Sequence, residues 1–176
     1  MNSLPTLCLT GLTLLAAASA PAHEGHRAAA VASDTNAASK TRVRLADVEL
    51  TDQSRRRGLL ARDIVGGRIV IANFVYTTCS SVCPLISVVF NQVQQQLPAE
   101  LARDTVLLSI SVDPLNDTPE QLQAAAQQYG SGDGWRWLTG RVNDIESVLK
   151  GFGAYSVRAQ DHLPMVVIGD PSTNTW

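Results

Sequence analysis

The sequence predicts a single α/β domain built around a mostly parallel β-sheet. Apolar runs rich in β-branched residues alternate with stretches of helical periodicity, in the order strand, helix, strand, helix, helix, strand. This order is typical of strands joined by helical crossovers. The chain has 176 residues, of which 45% are hydrophobic, and this length supports one hydrophobic core but is short for two.

Residues 1–22 are predicted to form a secretory signal peptide. The segment is uncharged, rich in Leu, Thr and Ala, and ends in the small residues typical of a cleavage site. Cys8 would be removed with it, which leaves Cys79 and Cys83 as the cysteines of the mature protein. We therefore predict export to the periplasm. The alternative is an uncleaved segment that associates with the membrane, although its apolar stretch is shorter than the ~20 residues of a typical span.

Residues 23–42 are predicted to be a flexible tether, because they are rich in Ala, Ser, Thr and Asn and almost lack large apolar side chains. Residues 43–176 then form the globular domain. At its start, alternating apolar residues over 43–50 predict a short strand or a loop. The polar residues 51–57 predict a turn.

The clearest strand prediction covers residues 69–75, directly after the Gly66-Gly67 pair. Apolar residues occupy nearly every position, as expected of a strand buried on both faces. A helix is predicted to begin at Pro84, because proline is favoured in a first helical turn, and to end before Pro98.

The second half of the chain continues the alternation of strands and helices. The predicted elements are a strand over 105–112, a helix over 119–129, a short strand over 135–138, a helix that ends near 152 and a strand over 165–168. Asp117 or Thr118 is expected to cap the first of these helices, and Asn143 or Asp144 the second.

The charge of the chain argues against nucleic-acid binding. The formal net charge is −2 at pH 7, and no block of Lys and Arg supplies the basic face that phosphate backbones require. We therefore predict no nucleic-acid partner. The only basic cluster is Arg55, Arg56 and Arg57, and a run of three is more often a solvated turn than a binding patch.

The cysteine pair carries the main chemical signal. Cys79 and Cys83 are four residues apart, between the predicted strand over 69–75 and the helix that begins at Pro84. This spacing lets the two sulfurs share a disulfide or a soft metal ion, and a helix N-terminus favours the thiolate form. A disulfide across so short a loop would stabilise the fold little, so we favour a functional pair over a structural one.

His162 lies just before the last predicted strand. It would lie near the loop that carries Cys79 and Cys83 (residues 76–83, the cysteine loop) only if that strand runs antiparallel to the strand over 69–75. From its spacing alone, a histidine in a surface loop is the more common interpretation.

Three motifs follow one another in a specific order. Residues 74–84 read FVYTTCSSVCP, residues 111–119 read SVDPLNDTP, and Asp161-His162 comes after them. Together they resemble the Sco/SenC family of copper-binding proteins, over residues 47–176. The resemblance implies a thioredoxin-like fold with a central mixed β-sheet flanked by helices. It also implies one copper ion bound by Cys79, Cys83 and His162.

The resemblance further implies a function. Family members are implicated in delivering copper to the dinuclear copper centre of cytochrome c oxidase subunit II, so that subunit or another copper-receiving protein is the expected partner. In an oxidising compartment, a thiol reductant protein would have to keep the cysteines reduced. We therefore predict a metallochaperone rather than an enzyme. Two thiolates and an imidazole suit Cu(I) and also hold Cu(II), although zinc with a water ligand is chemically compatible.

The alternative function is that of a thiol-disulfide oxidoreductase that reduces the copper-ligand cysteines of its target. Cys79 and Cys83 would then be catalytic, with Cys79 as the attacking thiol because it lies outside the helix. That role needs no histidine. A peroxide-reducing thiol enzyme is less favoured, since no residue is clearly placed to activate peroxide.

Other residues of the motifs allow more limited predictions. Asp161 is expected to tune His162 or to contact the surroundings of the bound ion, because it is adjacent to His162. Asp113 and Asp117 are interpreted as turn and helix-cap residues. Pro164 follows Leu163 at a place where thioredoxins have a cis-proline, so a cis peptide bond is an alternative to the usual trans bond. Finally, a thioredoxin-like domain usually ends with a further strand and a C-terminal helix, so the domain over 43–176 is predicted to lack these two elements and to be truncated at its C-terminus. Their lack would leave an apolar sheet face or edge uncovered and would lower stability.

Overall fold

The computed structural model describes residues 40–176. The predicted signal peptide over 1–22, and the predicted tether up to residue 39, lie outside the described residues, and both stay predictions. None of the helices in the described part is long and apolar enough to cross a membrane.

A mixed six-stranded sheet forms the centre of the domain. Its strands are β1 (Glu49–Asp52), β2 (Arg57–Leu59), β3 (Ile69–Val75), β4 (Thr105–Ser111), β5 (Trp135–Thr139) and β6 (Val166–Gly169). Their order across the sheet is β2-β1-β5-β4-β3-β6. Strands β3, β4 and β5 run parallel, whereas β6 runs antiparallel to β3, and β1 antiparallel to β5. The predicted parallel core is confirmed, and both sides of the sheet add antiparallel strands.

Helices flank this sheet. They are α1 (Cys83–Gln96), α2 (Ala99–Arg103), α3 (Pro119–Gln128) and α4 (Val142–Phe152), with a π-helix over Leu60–Val65 and a 3-10 turn over Ala159–Asp161. Helices α1 and α3 pack with the tryptophans of β5 in one buried cluster. Helix α4 and the π-helix pack in a second cluster.

The central strands form because their residues are apolar on both faces. All seven residues of β4 are buried, and β3 pairs with it over its full length, from Ile69 opposite Thr105 to Val75 opposite Ser111. A strand buried on both faces contributes roughly 1.5–3 kcal/mol for each large apolar side chain. The parallel pairing aligns the carboxyl ends of β3 and β4 at one edge of the sheet.

Strand β6 runs antiparallel to β3, which is the arrangement that His162 needs in order to lie near Cys79 and Cys83. Val166 of β6 lies opposite Asn73 of β3, and Gly169 lies opposite Val70. The beginning of β6 is therefore next to the end of β3, at the edge where the cysteine loop begins.

Several helix boundaries differ from the prediction. Helix α3 is capped by Thr118, whose hydroxyl accepts from the Gln121 N–H, so Asp117 is not the cap. Helix α4 begins after Arg141 without a side-chain cap; Asp144, one of the predicted caps, instead binds the Arg141 guanidinium at 2.7 Å. Helix α2 and the π-helix were not predicted. Both are too short, at five and six residues, for an apolar period to be recognised in the sequence.

The remaining sequence expectations have mixed outcomes. Residues 43–48 have no regular secondary structure, and β1 begins at Glu49. The turn predicted over 51–57 covers only residues 53–56, between β1 and β2. None of the described peptide bonds is cis, so the Leu163–Pro164 bond is trans. The expectation of a missing last strand and helix stays a prediction.

Candidate metal and redox centre

The cysteine loop connects β3 to α1 and places the two sulfurs differently. Cys79 lies in the loop and is partly exposed, with its N–H bonded to the Tyr76 carbonyl at 3.1 Å. Cys83 is the first residue of α1 and is 6% exposed. Helix α1 thus begins one residue earlier than predicted. Its Pro84 lies in the first turn, where a missing N–H costs nothing.

Both thiols are free and line the same small cavity, of about 40 Å³. The other lining residues come from the cysteine loop, α1, α3 and β5: Val75, Tyr76, Thr77, Ser87, Ala125, Gln128, Tyr129 and Trp137. The two sulfurs are close enough for each to shift the pKa of the other. The structure therefore brings together the two predicted cysteines.

The environment separates the pKa values of the two thiols. Burial raises the pKa of Cys79, but hydrogen bonds from the Cys83 thiol and from the N–H groups of Ser81 and Cys83 outweigh it and hold the pKa at about 7. Burial raises the pKa of Cys83 to about 12, helped by its hydrogen bond to Cys79. Cys79 is therefore the thiolate of the pair near neutral pH, and Cys83 keeps its proton.

This asymmetry predicts selective alkylation of the reduced protein. We expect iodoacetamide to modify Cys79 first, with a rate that rises with pH around a midpoint of about 7. Cys83 should react far more slowly, because it is buried and protonated. Peptide mapping after short pulses between pH 5 and 9 measures both sites. Faster labelling of Cys83 at any of these pH values would contradict the assignment.

Asp117 holds the cysteine loop in place, a role that the sequence did not indicate. Its carboxylate is 1% exposed and accepts from the Thr77 N–H at 2.9 Å, the Thr77 hydroxyl at 2.6 Å and the Ser111 hydroxyl at 2.6 Å. Burial raises the pKa of Asp117, and these hydrogen bonds oppose the rise. The predicted cap role of Asp117 is therefore wrong. Asp113 remains a turn residue whose carboxylate accepts from the Asn116 amide.

His162 lies at the same edge of the sheet. One of its ring nitrogens forms a hydrogen bond, and the other has no hydrogen-bond partner among the described residues. The residue is 8% exposed, and its Nδ1 lies 2.6 Å from the Ala159 carbonyl oxygen. A carbonyl only accepts, so Nδ1 donates the hydrogen bond, and in the neutral ring Nε2 has the lone pair. This Nε2 is buried and has no hydrogen-bond partner among the described residues. A buried, unpartnered imidazole nitrogen has the chemistry of a metal ligand.

Asp161 does not contact the His162 ring as predicted. Its carboxylate instead binds the Arg158 guanidinium through two hydrogen bonds, at 2.6 and 3.0 Å. The group that orients His162 is the Ala159 carbonyl, which belongs to the 3-10 turn before β6. In this structure Asp161 therefore has no direct contact through which to tune the His162 ring.

Tyr76 lies between the histidine and the cysteines. Its ring meets the His162 ring edge to face, with centroids 5.6 Å apart. Its hydroxyl interacts with Cys79, and burial, this hydrogen bond and the thiolate charge raise the pKa of Tyr76. No group of three or more His, Cys, Asp or Glu side chains within residues 40–176 is close enough to hold a metal ion. In this structure Cys79 and Cys83 therefore line one cavity. Tyr76 contacts both His162 and Cys79, and so lies between the histidine and the cysteines.

Comparison with known proteins identifies the family. Residues 39–170 match the SCO1/SenC family, which is well over half of the chain. The chain belongs to the SCO1/SenC family. This membership confirms the resemblance seen in the three motifs.

Two curated proteins are similar to parts of the chain. The chain is 40% identical over 91 residues to the SCO1 protein homolog of Bacillus subtilis (strain 168), which covers 50% of this chain and 47% of that protein. It is 31% identical over 114 residues to a Stutzerimonas stutzeri protein named "Putative copper-binding protein", which covers 65% of this chain and 54% of that protein. The chain thus spans about half the length of the curated relatives it matches.

The solved structure of BsSco confirms the fold. BsSco is described as having a disulfide switch and as a member of the Sco family of cytochrome c oxidase assembly proteins. It is 26% identical to this chain, with a TM-score of 0.60, over 78% of this chain and 88% of that chain. The mixed six-stranded sheet with flanking helices is therefore the thioredoxin-like fold of the SCO1/SenC family.

Proposed function

We propose that this SCO1/SenC protein binds one copper ion through Cys79, Cys83 and His162. We further propose that it delivers the ion to the dinuclear copper centre of cytochrome c oxidase subunit II or to another copper-receiving protein. The observation that carries the proposal is the buried Nε2 of His162, which has a lone pair but no partner among the described residues. The name of the Stutzerimonas stutzeri relative and the assembly role stated for BsSco support it.

The donor set fits copper chemically. Two thiolates and one imidazole form a soft, low-coordinate set that suits Cu(I) and tolerates Cu(II). Cys79 supplies a thiolate near neutral pH without help from the metal. Cys83 has to lose its proton when the ion binds, and metal binding generally displaces that proton.

Binding requires His162 to approach the sulfurs, because the three side chains do not converge in this structure. We propose that this change is confined to the loop before β6. Two of its apolar residues, Val157 and Leu163, are 89% and 76% exposed, so they have little packing to lose when the loop moves. A loop with few buried contacts deforms at low cost.

Thiol-disulfide exchange is the second candidate, and the separated pKa values of the cysteines favour it. The Cys79 thiolate would attack a target disulfide and form a mixed disulfide, with one target thiolate as the leaving group. Cys83 would then lose its proton and attack the Cys79 sulfur. This step releases the second target thiol and leaves a Cys79–Cys83 disulfide. The target gains two electrons, and a thiol reductant protein has to return them.

Replacement of the histidine separates the two functions. We expect His162→Ala to weaken Cu(I) binding by about 100-fold or more, beyond the effect typical of a residue that only supports a metal ligand. Reduction of a model disulfide should stay within about twofold, since exchange needs only the thiols. Copper affinity is measured by competition with a chromophoric Cu(I) chelator.

The adjacent Asp161→Asn variant is a matched control. Its carboxylate is bound to Arg158 rather than to His162, so both activities should be unchanged. Unchanged copper affinity in His162→Ala would overturn the proposed ligand set. Loss of disulfide reduction in the same variant would argue against a thiol-only exchange mechanism.

We propose a periplasmic location for this function. The uncharged N-terminal segment with its small-residue cleavage pattern supports export, and membrane association through an uncleaved segment is the alternative. Mass spectrometry of the protein isolated from the periplasm identifies the first residue and separates the two.

A further inference from the structure

Tyr76 contacts both sides of the candidate copper site. Its ring meets the His162 ring edge to face, with centroids 5.6 Å apart and planes at 85°. Its hydroxyl interacts with Cys79, and its side chain lines the cavity that the two thiols share. A single tyrosine side chain therefore separates the imidazole from the sulfurs with which it would share a copper ion.

The backbone that carries this side chain is held in place. The Tyr76 carbonyl accepts from the Cys79 N–H at 3.1 Å, and the Thr77 N–H donates to the buried Asp117 carboxylate at 2.9 Å. Tyr76 itself, in contrast, is only partly buried. Side chains that reach the surface change rotamer readily. The ring can therefore turn toward solvent while the backbone of the cysteine loop stays where it is.

The Tyr76 ring contacts His162 without satisfying its unpartnered nitrogen. His162 Nε2 is buried and has no hydrogen-bond partner among the described residues, so the Tyr76 hydroxyl does not bond to it. A buried nitrogen without a partner is unfavourable compared with one that binds a donor or an ion. The ring contact thus holds the imidazole in a position where its lone pair is unused.

We propose that Tyr76 is a gate that keeps His162 away from Cys79 and Cys83 in the metal-free protein. While the ring lies between them, the two cysteines form a dithiol site without a third ligand. When the ring turns toward solvent, the loop before β6 can bring His162 to the sulfurs, and the three side chains bind copper. Tyr76 does not itself bind the ion, so it is a positioning residue. This inference rests on the proposed copper function.

The gate is expected to open readily. An edge-to-face pair of aromatic rings shifts an equilibrium by about two- to tenfold. Copper overcomes this contact at little cost in affinity, because ligation of Cu(I) by two thiolates and an imidazole is far more favourable than one ring contact. The protein can therefore keep its cysteines as a dithiol and still accept copper at the same site.

The first test uses the metal-free full chain, so its result does not depend on copper. Diethyl pyrocarbonate modifies unprotonated imidazole nitrogens, and peptide mapping by mass spectrometry measures the rate at His162. In the reduced protein, we expect this rate to be at least about threefold higher in Tyr76→Ala than in the wild type, as expected for loss of one ring contact. Tyr76→Phe keeps the ring, so its rate should stay within about twofold of the wild type.

The second test measures Cu(I) affinity by competition with a chromophoric chelator. Loss of the gate should raise the affinity of Tyr76→Ala by about two- to tenfold, because His162 no longer has to displace the ring. General damage to the site would lower the affinity instead, so the direction of the change separates a gate from a structural role. Tyr76→Phe should again resemble the wild type.

Tyr129→Ala is the matched control. Tyr129 lines the same cavity, but its ring stacks on Trp137, with centroids 6.0 Å apart, rather than on His162. In this variant, His162 should be modified at the wild-type rate, and copper affinity should not rise. Equal modification of His162 in Tyr76→Ala and wild type, or copper affinity that does not rise in Tyr76→Ala, would overturn the gate. Unchanged affinity in His162→Ala would instead overturn the copper ligand set, and the modification rates would still decide whether Tyr76 covers the histidine.

Discussion

Cys83→Ser is expected to abolish copper retention while leaving the fold largely intact. Cys83 is 6% exposed at the start of α1, and serine has nearly its size but is a hard, weakly acidic donor with little affinity for Cu(I). Loss of one of three ligands should weaken Cu(I) binding by more than the 10–100-fold typical of residues that support a ligand, so we expect roughly 1000-fold. Cys79→Ser should have a similar effect.

Ser87→Ala is a control from the same cavity. Ser87 is 1% exposed and lines the cavity beside the cysteines, but its side chain is not a soft metal donor. Copper affinity should change by less than about threefold in this variant, while its effect on stability reports on packing alone. Competition with a Cu(I) chelator under anaerobic conditions measures all three variants. Near-wild-type affinity in Cys83→Ser would show that the ion lies elsewhere.

Asp117→Ala is expected to produce the largest loss of stability among the site residues. The carboxylate is buried and accepts three hydrogen bonds, so its removal leaves two N–H or O–H groups of Thr77 and the Ser111 hydroxyl without their acceptor. We expect the free energy of unfolding in urea to fall by about 3 kcal/mol. The cysteine loop would also lose its attachment to the end of β4, which should weaken copper binding by about tenfold.

The pH dependence of stability separates two contributions of Asp117 to the free energy of unfolding, that of its charge and that of its hydrogen bonds. Its pKa is raised in the folded protein, chiefly by burial. The folded state therefore binds this proton more tightly than the unfolded state, and ionisation of Asp117 reduces stability as pH rises through the unfolded and then the folded pKa. Asp117→Asn keeps an acceptor oxygen for Thr77 and removes this dependence.

Accordingly, Asp117→Asn should lose less stability than Asp117→Ala, and its deficit relative to wild type should shrink between pH 4 and pH 7. Asp113→Ala is the control, because among the described residues the Asp113 carboxylate accepts hydrogen bonds only from the Asn116 amide. Its stability should stay within about 0.5 kcal/mol of wild type. Equal losses for Asp113→Ala and Asp117→Ala would contradict the role assigned to Asp117.

Local sequence signals predicted the elements that position the site. The unbroken apolar run of β3 indicated a buried strand, and Pro84 marked the first turn of α1. Thr118, with Gln121 three residues later, forms the expected helix cap of α3. Such features depend on neighbours in sequence, so the sequence alone is sufficient to predict them.

Tertiary contacts could not be predicted in the same way. Asp117 binds Thr77, which is 40 residues away, and nothing in the local pattern distinguishes this from a turn residue. The proton of His162 is placed by the Ala159 carbonyl rather than by the adjacent Asp161. Adjacency in sequence suggested the wrong partner, because the 3-10 turn directs the Asp161 side chain toward Arg158.

The basic triplet at residues 55–57 shows the same limit. The sequence treats Arg55, Arg56 and Arg57 as one solvated cluster. The hairpin between β1 and β2 separates them, so that Arg55 contacts α3 while Arg56 contacts Asp52. A run of like charges therefore has two different environments.

Copper K-edge X-ray absorption tests the central claim most directly. The reduced full chain, loaded anaerobically with one equivalent of Cu(I), is measured beside His162→Ala and Asp161→Asn. We predict two sulfur ligands and one imidazole nitrogen in the wild type and in Asp161→Asn, and loss of the imidazole signal in His162→Ala. An imidazole signal that persists in His162→Ala, or a wild-type site with sulfur ligands only, would contradict the assignment of Cys79, Cys83 and His162 as the copper ligands.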